Sequence, residues 1–130
     1  MALSPQVEQW RGLVASIWPT SEVDNVLAVM QCESGGNPNA HNTAGEDSRG
    51  LMQINVGPGA HTQWASYNLF DPETNLRLAY ELWKTSGWSP WTCAHIIGLA
   101  DGGSSVSAGA GPSGLAVLFV VLFALWLLLE

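Results

Sequence analysis

The stretch VDNVLAVMQCESGGNP, Val23 to Pro38, decides how the rest of the chain is read. Val23, Val26, Leu27 and Met30 recur at three- and four-residue spacing, the stripe of an amphipathic helix. Thr20 or Ser21 is placed to cap that helix, and Glu22 and Asp24 suit the positive end of its dipole. Gly35-Gly36-Asn37-Pro38 is a run of helix breakers, so the helix is expected to end near Cys32-Glu33-Ser34. This leaves an acidic side chain, Glu33, at the end of a mainly apolar helix and facing a glycine-rich loop.

Upstream, Ser4 and Pro5 read as an N-cap and a first-turn proline. Val7, Trp10, Leu13, Val14 and Ile17 then predict one amphipathic helix that Pro19 stops. Downstream, residues 35–50 read as a polar loop. Leu51 to Val56 is a short apolar segment, either a strand or a helical turn, and Gly57-Pro58-Gly59 breaks it. Asp71 and Pro72 open a further helix whose core face is Leu76, Leu78, Ala79, Leu82 and Trp83. Gly87 to Cys93 (GWSPWTC) reads as an aromatic turn. The expected architecture is mainly α: a small helical domain over residues 1–100 with little β structure. A Gly/Ser-rich linker follows over 101–114. An apolar run over 115–129, LAVLFVVLFALWLLL, reads as one C-terminal transmembrane helix. At 1.5 Å per residue that run reaches about 24 Å with Gly114, short against a hydrocarbon core of about 30 Å. It can recruit linker residues or thin the bilayer. The N-terminus has neither the basic nor the apolar region of a secretory signal.

The formal charge of −7 argues against a nucleic-acid partner, because a phosphate-backbone binder needs a basic patch. Arg11, Arg49, Arg77 and Lys84 are scattered and form no run. His41, His61 and His95 have no metal-ligand spacing and read as surface or satisfied histidines. No metal site and no cofactor fingerprint is expected. Cys32 and Cys93 are either two buried thiols or one disulfide; a loop of that length adds roughly 3 to 4 kcal/mol by the chain-entropy argument and implies an oxidising compartment.

Glu33 is the first candidate for chemistry. The negative end of its helix dipole and partial burial both raise a carboxyl pKa, which is what a general acid at neutral pH needs. A solvated helix-end glutamate is the plain alternative. The ordered blocks Cys32-Glu33-Ser34-Gly35-Gly36-Asn37-Pro38, then Asn42, then Gly50-Leu51-Met52-Gln53-Ile54-Asn55 bear on that choice. Together they resemble the catalytic signature of the soluble lytic transglycosylase domain of the lysozyme-like superfamily. Asp71 to Arg77 resembles that family's next helix. The ending GWSPWTC is similar to lysozyme-like domains of phage structural proteins and of secreted actinobacterial muralytic proteins. The resemblance covers about residues 20 to 95.

It implies a lysozyme-like α+β fold with little β and an enzyme that cleaves the bond between N-acetylmuramic acid and N-acetylglucosamine in peptidoglycan. Glu33 would protonate the glycosidic oxygen and then act as base toward the muramoyl 6-hydroxyl, leaving a 1,6-anhydro product. The resemblance makes Ser34, Asn42 and Gln53 the substrate-side residues, with Ser34 also setting the helix end. The family's Ala-Tyr-Asn-x-Gly block is absent, so either Tyr80 supplies the aromatic hydroxyl or Trp88 and Trp91 line the cleft. Both readings compete with plain core packing. Hydrolysis by the usual routes needs a second carboxylate. Glu46 and Asp47 are the candidates, with Asp47 the preferred one; an exposed acidic loop is the alternative. A hydrolytic lysozyme and an inactive structural membrane protein of a virion are the competing functions. The expected partners are peptidoglycan glycan strands and, through the C-terminal helix, the lipid bilayer. The expected location is a membrane facing the cell wall, in the periplasm or cell envelope, or the membrane of a phage virion.

Overall fold

The computed structural model describes residues 2–100; the expected linker and membrane helix lie outside the described residues. Among the described residues no helix is long and apolar enough to cross a membrane. Among the described residues, five α-helices, two short 3-10 helices and a three-stranded antiparallel sheet make up the domain. The helices are α1 (Pro5–Glu8), α2 (Arg11–Ile17), α3 (Val23–Glu33), α4 (Pro72–Ser86) and α5 (Thr92–Ile96). The strands β1 (His41–Asn42), β2 (Ser48–Arg49) and β3 (Ile54–Asn55) pair in the order β1-β2-β3. The domain is therefore mainly α with little β.

The expected first helix is two. Ser4 caps α1 by accepting from the Val7 amide, with Pro5 in the first turn, but the helix breaks at Gln9-Trp10. The cause is tertiary. Trp10 Nε1 donates to the Gly36 carbonyl at 2.9 Å, and the Ser4 amide donates to Gln31 Oε1 at 2.7 Å. A Cβ on Gly36 would lie 2.6 Å from the Gln6 carbonyl oxygen, so α1 presses directly on the loop after α3. A straight helix could not make these contacts and still bury Val7 and Val14.

Helix α3 runs through the middle of the core, with Val23, Val26, Leu27, Val29 and Met30 buried. Complete burial of a leucine such as Leu27 is worth about 1.5 to 3 kcal/mol. The helix ends at Glu33, as its sequence predicts. Asp71 caps α4 by accepting from the Thr74 amide, and α4 buries Asn75, Leu76, Ala79 and Leu82. The polar loop 35–50 contains β1 and β2, which the sequence did not announce. Residues 51–56 resolve into a turn followed by β3. The aromatic segment leads into α5, a helix also absent from the sequence reading.

Trp18 organises the aromatic part of the core. It stacks on Trp88 at 5.6 Å and tilts against Tyr80 and Trp83. The buried indoles find acceptors, as their polar edge requires. Trp18 Nε1 donates to the Leu76 carbonyl, Trp88 Nε1 to Glu22, and Trp91 Nε1 to the Met52 carbonyl.

Candidate active site

Two parts of the chain enclose a cleft of about 390 Å³. Asn42, Glu46, Ser48, Gln53 and Asn55 come from the sheet and its turns; Pro90 to Cys93 come from the start of α5; Glu33 joins them from the end of α3. The sheet register explains the first group. Asn42 lies opposite Ser48, and Ser48 opposite Asn55, so the three form one cross-strand row on one face. Glu46 is two residues before Ser48 and shares that face. The adjacent row, His41-Arg49-Ile54, faces the other way.

This alternation places the two candidate second carboxylates on different sides. Asp47 is out of phase with the cleft row. Arg49 clasps its carboxylate with two hydrogen bonds and His41 Nε2 lies at 2.8 Å. Those contacts, Arg49 first, hold its pKa down to about 2. Glu46 is the acidic residue that lines the cleft, held by the side-chain amide of Asn42.

Glu33 is half-buried. Burial pushes its carboxyl above the ordinary range; the Cys93 amide, donating to Oε2 at 3.3 Å, pulls it back in part, and the Glu46 charge adds to the rise. Among the described residues with a displaced carboxyl pKa, Glu33 is the only one displaced upward. No lysine or arginine lines the cleft to reverse that effect. The Cys32–Cys93 disulfide, with Cα atoms 5.8 Å apart, sits beside Glu33 and fixes α5 to the end of α3.

Gln53 has a φ of +50°, the sole positive φ outside glycine among the described residues. Its amide nitrogen donates to the carbonyls of Ala40 and Gly50, both at 3.0 Å. Two carbonyls on that side fix the orientation of the amide, so Oε1 is the atom left for the cleft. Ser34 is not a cleft residue. Its hydroxyl donates to the Leu51 carbonyl at 2.7 Å and accepts from the Gly36 amide. It therefore joins the helix end to the turn that carries Gln53. Tyr80 and Trp88 are also away from the cleft, in the cluster around Trp18. Trp91 does line the cleft, but it is 2 % exposed and its nitrogen is committed to Met52.

Two residues that the sequence reading gave no role are central. Asn75 is completely buried. Its Oδ1 accepts from the Met52 amide, and its Nδ2 donates to the Arg49 and Leu69 carbonyls. Gly50, at φ +78°, lies so close to Leu69 and Asn75 that a Cβ there would overlap both. Only the apolar period of α4, which places Asn75 beside Leu76 and Ala79, hinted that an amide was buried. Ser48 had no signal until its strand was placed. His61 stacks on Trp64, and His95 Nε2 lies 2.9 Å from the Ser89 carbonyl. Among the described residues no His, Cys, Asp or Glu group is arranged to hold a metal ion.

A carboxyl displaced upward in a polar cleft without a cation is thus mounted at the end of a core helix. A family model described as a lysozyme-like domain matches residues 16–93, most of the described domain. The chain belongs to that family. Neither a curated protein nor a solved structure matches it.

Proposed function

We propose that the protein is a peptidoglycan lytic transglycosylase that cleaves the β-1,4 bond from N-acetylmuramic acid to N-acetylglucosamine. The observation that carries this reading is the upward-displaced carboxyl of Glu33, set in the cleft without a cation. Protonated Glu33 donates to the glycosidic oxygen as the bond breaks. The resulting carboxylate then takes the proton of the muramoyl 6-hydroxyl as that oxygen closes on C1. The proton balance is restored within one residue, and the product is a 1,6-anhydro sugar. The Cys93 amide steadies the carboxylate form between the two steps. Gln53 and Asn42 hold the sugar, and Trp91 lines the cleft beside it.

One observation favours a second reading. Glu46 lines the same cleft and could orient a water, which would make the enzyme a hydrolytic lysozyme. Mass spectrometry of digested peptidoglycan separates the two. Anhydromuropeptides from the wild type, lost on Glu33→Gln by about 10²- to 10⁴-fold, support the transglycosylase. Reducing-end products alone support the hydrolase. No products from a folded wild type would leave an inactive structural protein.

The apolar run over 115–129 supports a membrane-held enzyme that opens the wall locally, during phage infection or where a machine crosses the envelope. Flotation of the full chain with lipid vesicles tests the anchor; a chain that stays with the soluble fraction contradicts it.

A further inference from the structure

Glu33 is the last residue of α3, and the chain after it is soft. Ser34 leaves the helical region, and Gly35 and Gly36 follow at φ +63° and +83°. Glycines move in and out of that region at little cost, so the loop cannot by itself fix the direction of the carboxyl before it. On the α5 side the acid is held by the neighbouring disulfide and by one contact, the Cys93 amide donating to Oε2 at 3.3 Å, which is long for such a bond. A small shift of the helix end would open that contact.

The N-terminal arm, residues 2–10, braces the same helix end from another side. It grips the chain before Glu33, at Gln31, and after it, at Gly36. Gln31 Oε1 accepts from the Ser4 amide at 2.7 Å, and Gln31 Nε2 donates to the Ala2 carbonyl at 2.9 Å. Trp10 Nε1 donates to the Gly36 carbonyl at 2.9 Å, and the Gln6 carbonyl closes on Gly36 so tightly that a Cβ there would meet it at 2.6 Å. The Trp10 bond continues into the site. The Gly36 amide donates to the Ser34 hydroxyl, and that hydroxyl donates to the Leu51 carbonyl in the turn that carries Gln53. One row of hydrogen bonds thus ties the Trp10 indole to the end of α3 and to the turn across the cleft. No residue of the arm lines the cleft itself.

We propose that Trp10 is a positioning residue for Glu33: its indole N–H holds the glycine loop, and through it keeps the carboxyl against the Cys93 amide. The inference rests on the reading of Glu33 as the acid. It adds a residue that lies outside both the cleft and the stretch that the family model matches.

The test compares the full-length wild type with Trp10→Phe, which keeps an aromatic ring and removes the N–H. Peptidoglycan cleavage should fall about tenfold in kcat with KM within about twofold, because the acid is displaced while the sugar-facing row stays in place. Glu33 should also titrate at higher pH, followed by NMR of its side-chain carboxyl carbon, since the Cys93 amide that pulls its pKa down is drawn away. Glu46, the other carboxyl that lines the cleft, is present in both proteins and does not confuse the comparison. A folded variant with unchanged kcat and an unchanged Glu33 titration overturns the assignment, even if it melts lower, because Trp10 would then serve packing alone. Should Trp10→Phe not fold, Gln31→Met, which removes the other grip of the arm at similar length, is read in the same two ways; no change in either reading overturns the proposal. A wild type that cleaves no peptidoglycan, with Glu33 still titrating higher in Trp10→Phe, would refute the proposed activity and leave the hold of Trp10 on Glu33 standing.

Discussion

The wall of the cleft that carries Pro90 to Cys93 is clamped by a disulfide and by the burial of Trp88 and Trp91. The wall that carries Asn42, Glu46, Ser48 and Asn55 has strands of only two residues and rests on the hydrogen bonds of one buried amide, Asn75. The first wall presents the backbone that steadies Glu33. The second presents the polar row to which the proposed function assigns the sugar. A short sheet cannot bury enough apolar surface to hold itself, so its position is borrowed from α4. The difference teaches where each kind of damage should appear: loss of the clamp should disturb the acid, and loss of the amide should disturb recognition.

The largest effect is expected from breaking the covalent clamp. Cys32→Ser with Cys93→Ser should destabilise the domain by about 4 kcal/mol, read by urea denaturation, and reduction of the wild type should match it. Surviving folded protein should lose more in kcat than in KM, because α5 no longer fixes the amide that Glu33 accepts from. A proportional fall in both would show that the two walls are not separable.

Asn75→Ala comes next. It strands the Met52 amide and two carbonyls, at a cost of about 3 kcal/mol. Hydrogen exchange should rise first at Arg49 to Asn55 while α5 stays protected. Uniform loss of protection would put the sheet and α5 in one cooperative unit and erase the contrast.

Much of this was legible beforehand and some was not, for definite reasons. The end of α3 at Glu33 and the cap of α4 at Asp71 are written in local chemistry, since breakers, caps and apolar period all act within a few residues. The break between α1 and α2 depends on Trp10 reaching Gly36, a contact 26 residues away in sequence. Glu46 and Asp47 are neighbours, and only strand register says which faces the cleft; a one-residue slip exchanges them. Trp88 and Trp91 are equally aromatic in the sequence, and it took the stacking on Trp18 to separate a core residue from a cleft residue.

Smaller effects sharpen the acid. In the proposed mechanism Glu33 acts in its protonated form, and its raised pKa carries that form to higher pH than an ordinary carboxyl allows. Glu46 contributes to the rise, so Glu46→Gln should move the alkaline limb of the pH–rate profile to lower pH. A limb that stays put would separate the two carboxylates. The same shift bears on stability. A carboxyl whose folded pKa lies above its unfolded value stabilises the fold below the unfolded pKa, and that contribution is lost as pH rises through the folded one. Glu33→Gln should therefore melt above the wild type at neutral pH and level with it in acid.

The smallest effect is expected on the outer face. Asp47→Asn should leave kcat and KM nearly unchanged, since its partners Arg49 and His41 are turned from the cleft. Its depressed pKa supports the fold above the unfolded value and that support is lost as pH falls toward about 2, so the variant should be slightly less stable than wild type at neutral pH and level with it in strong acid. A large loss of activity at neutral pH would mean that Asp47, not Glu46, faces the substrate.

Every residue that lines the cleft falls between Cys32 and Cys93, which the disulfide joins into a closed ring of chain. The cleft-lining part is thus a macrocycle, with α1 and α2 on the chain that enters it before Cys32. A single cut by a protease in the exposed segment around Gln63 would open the ring without releasing either piece.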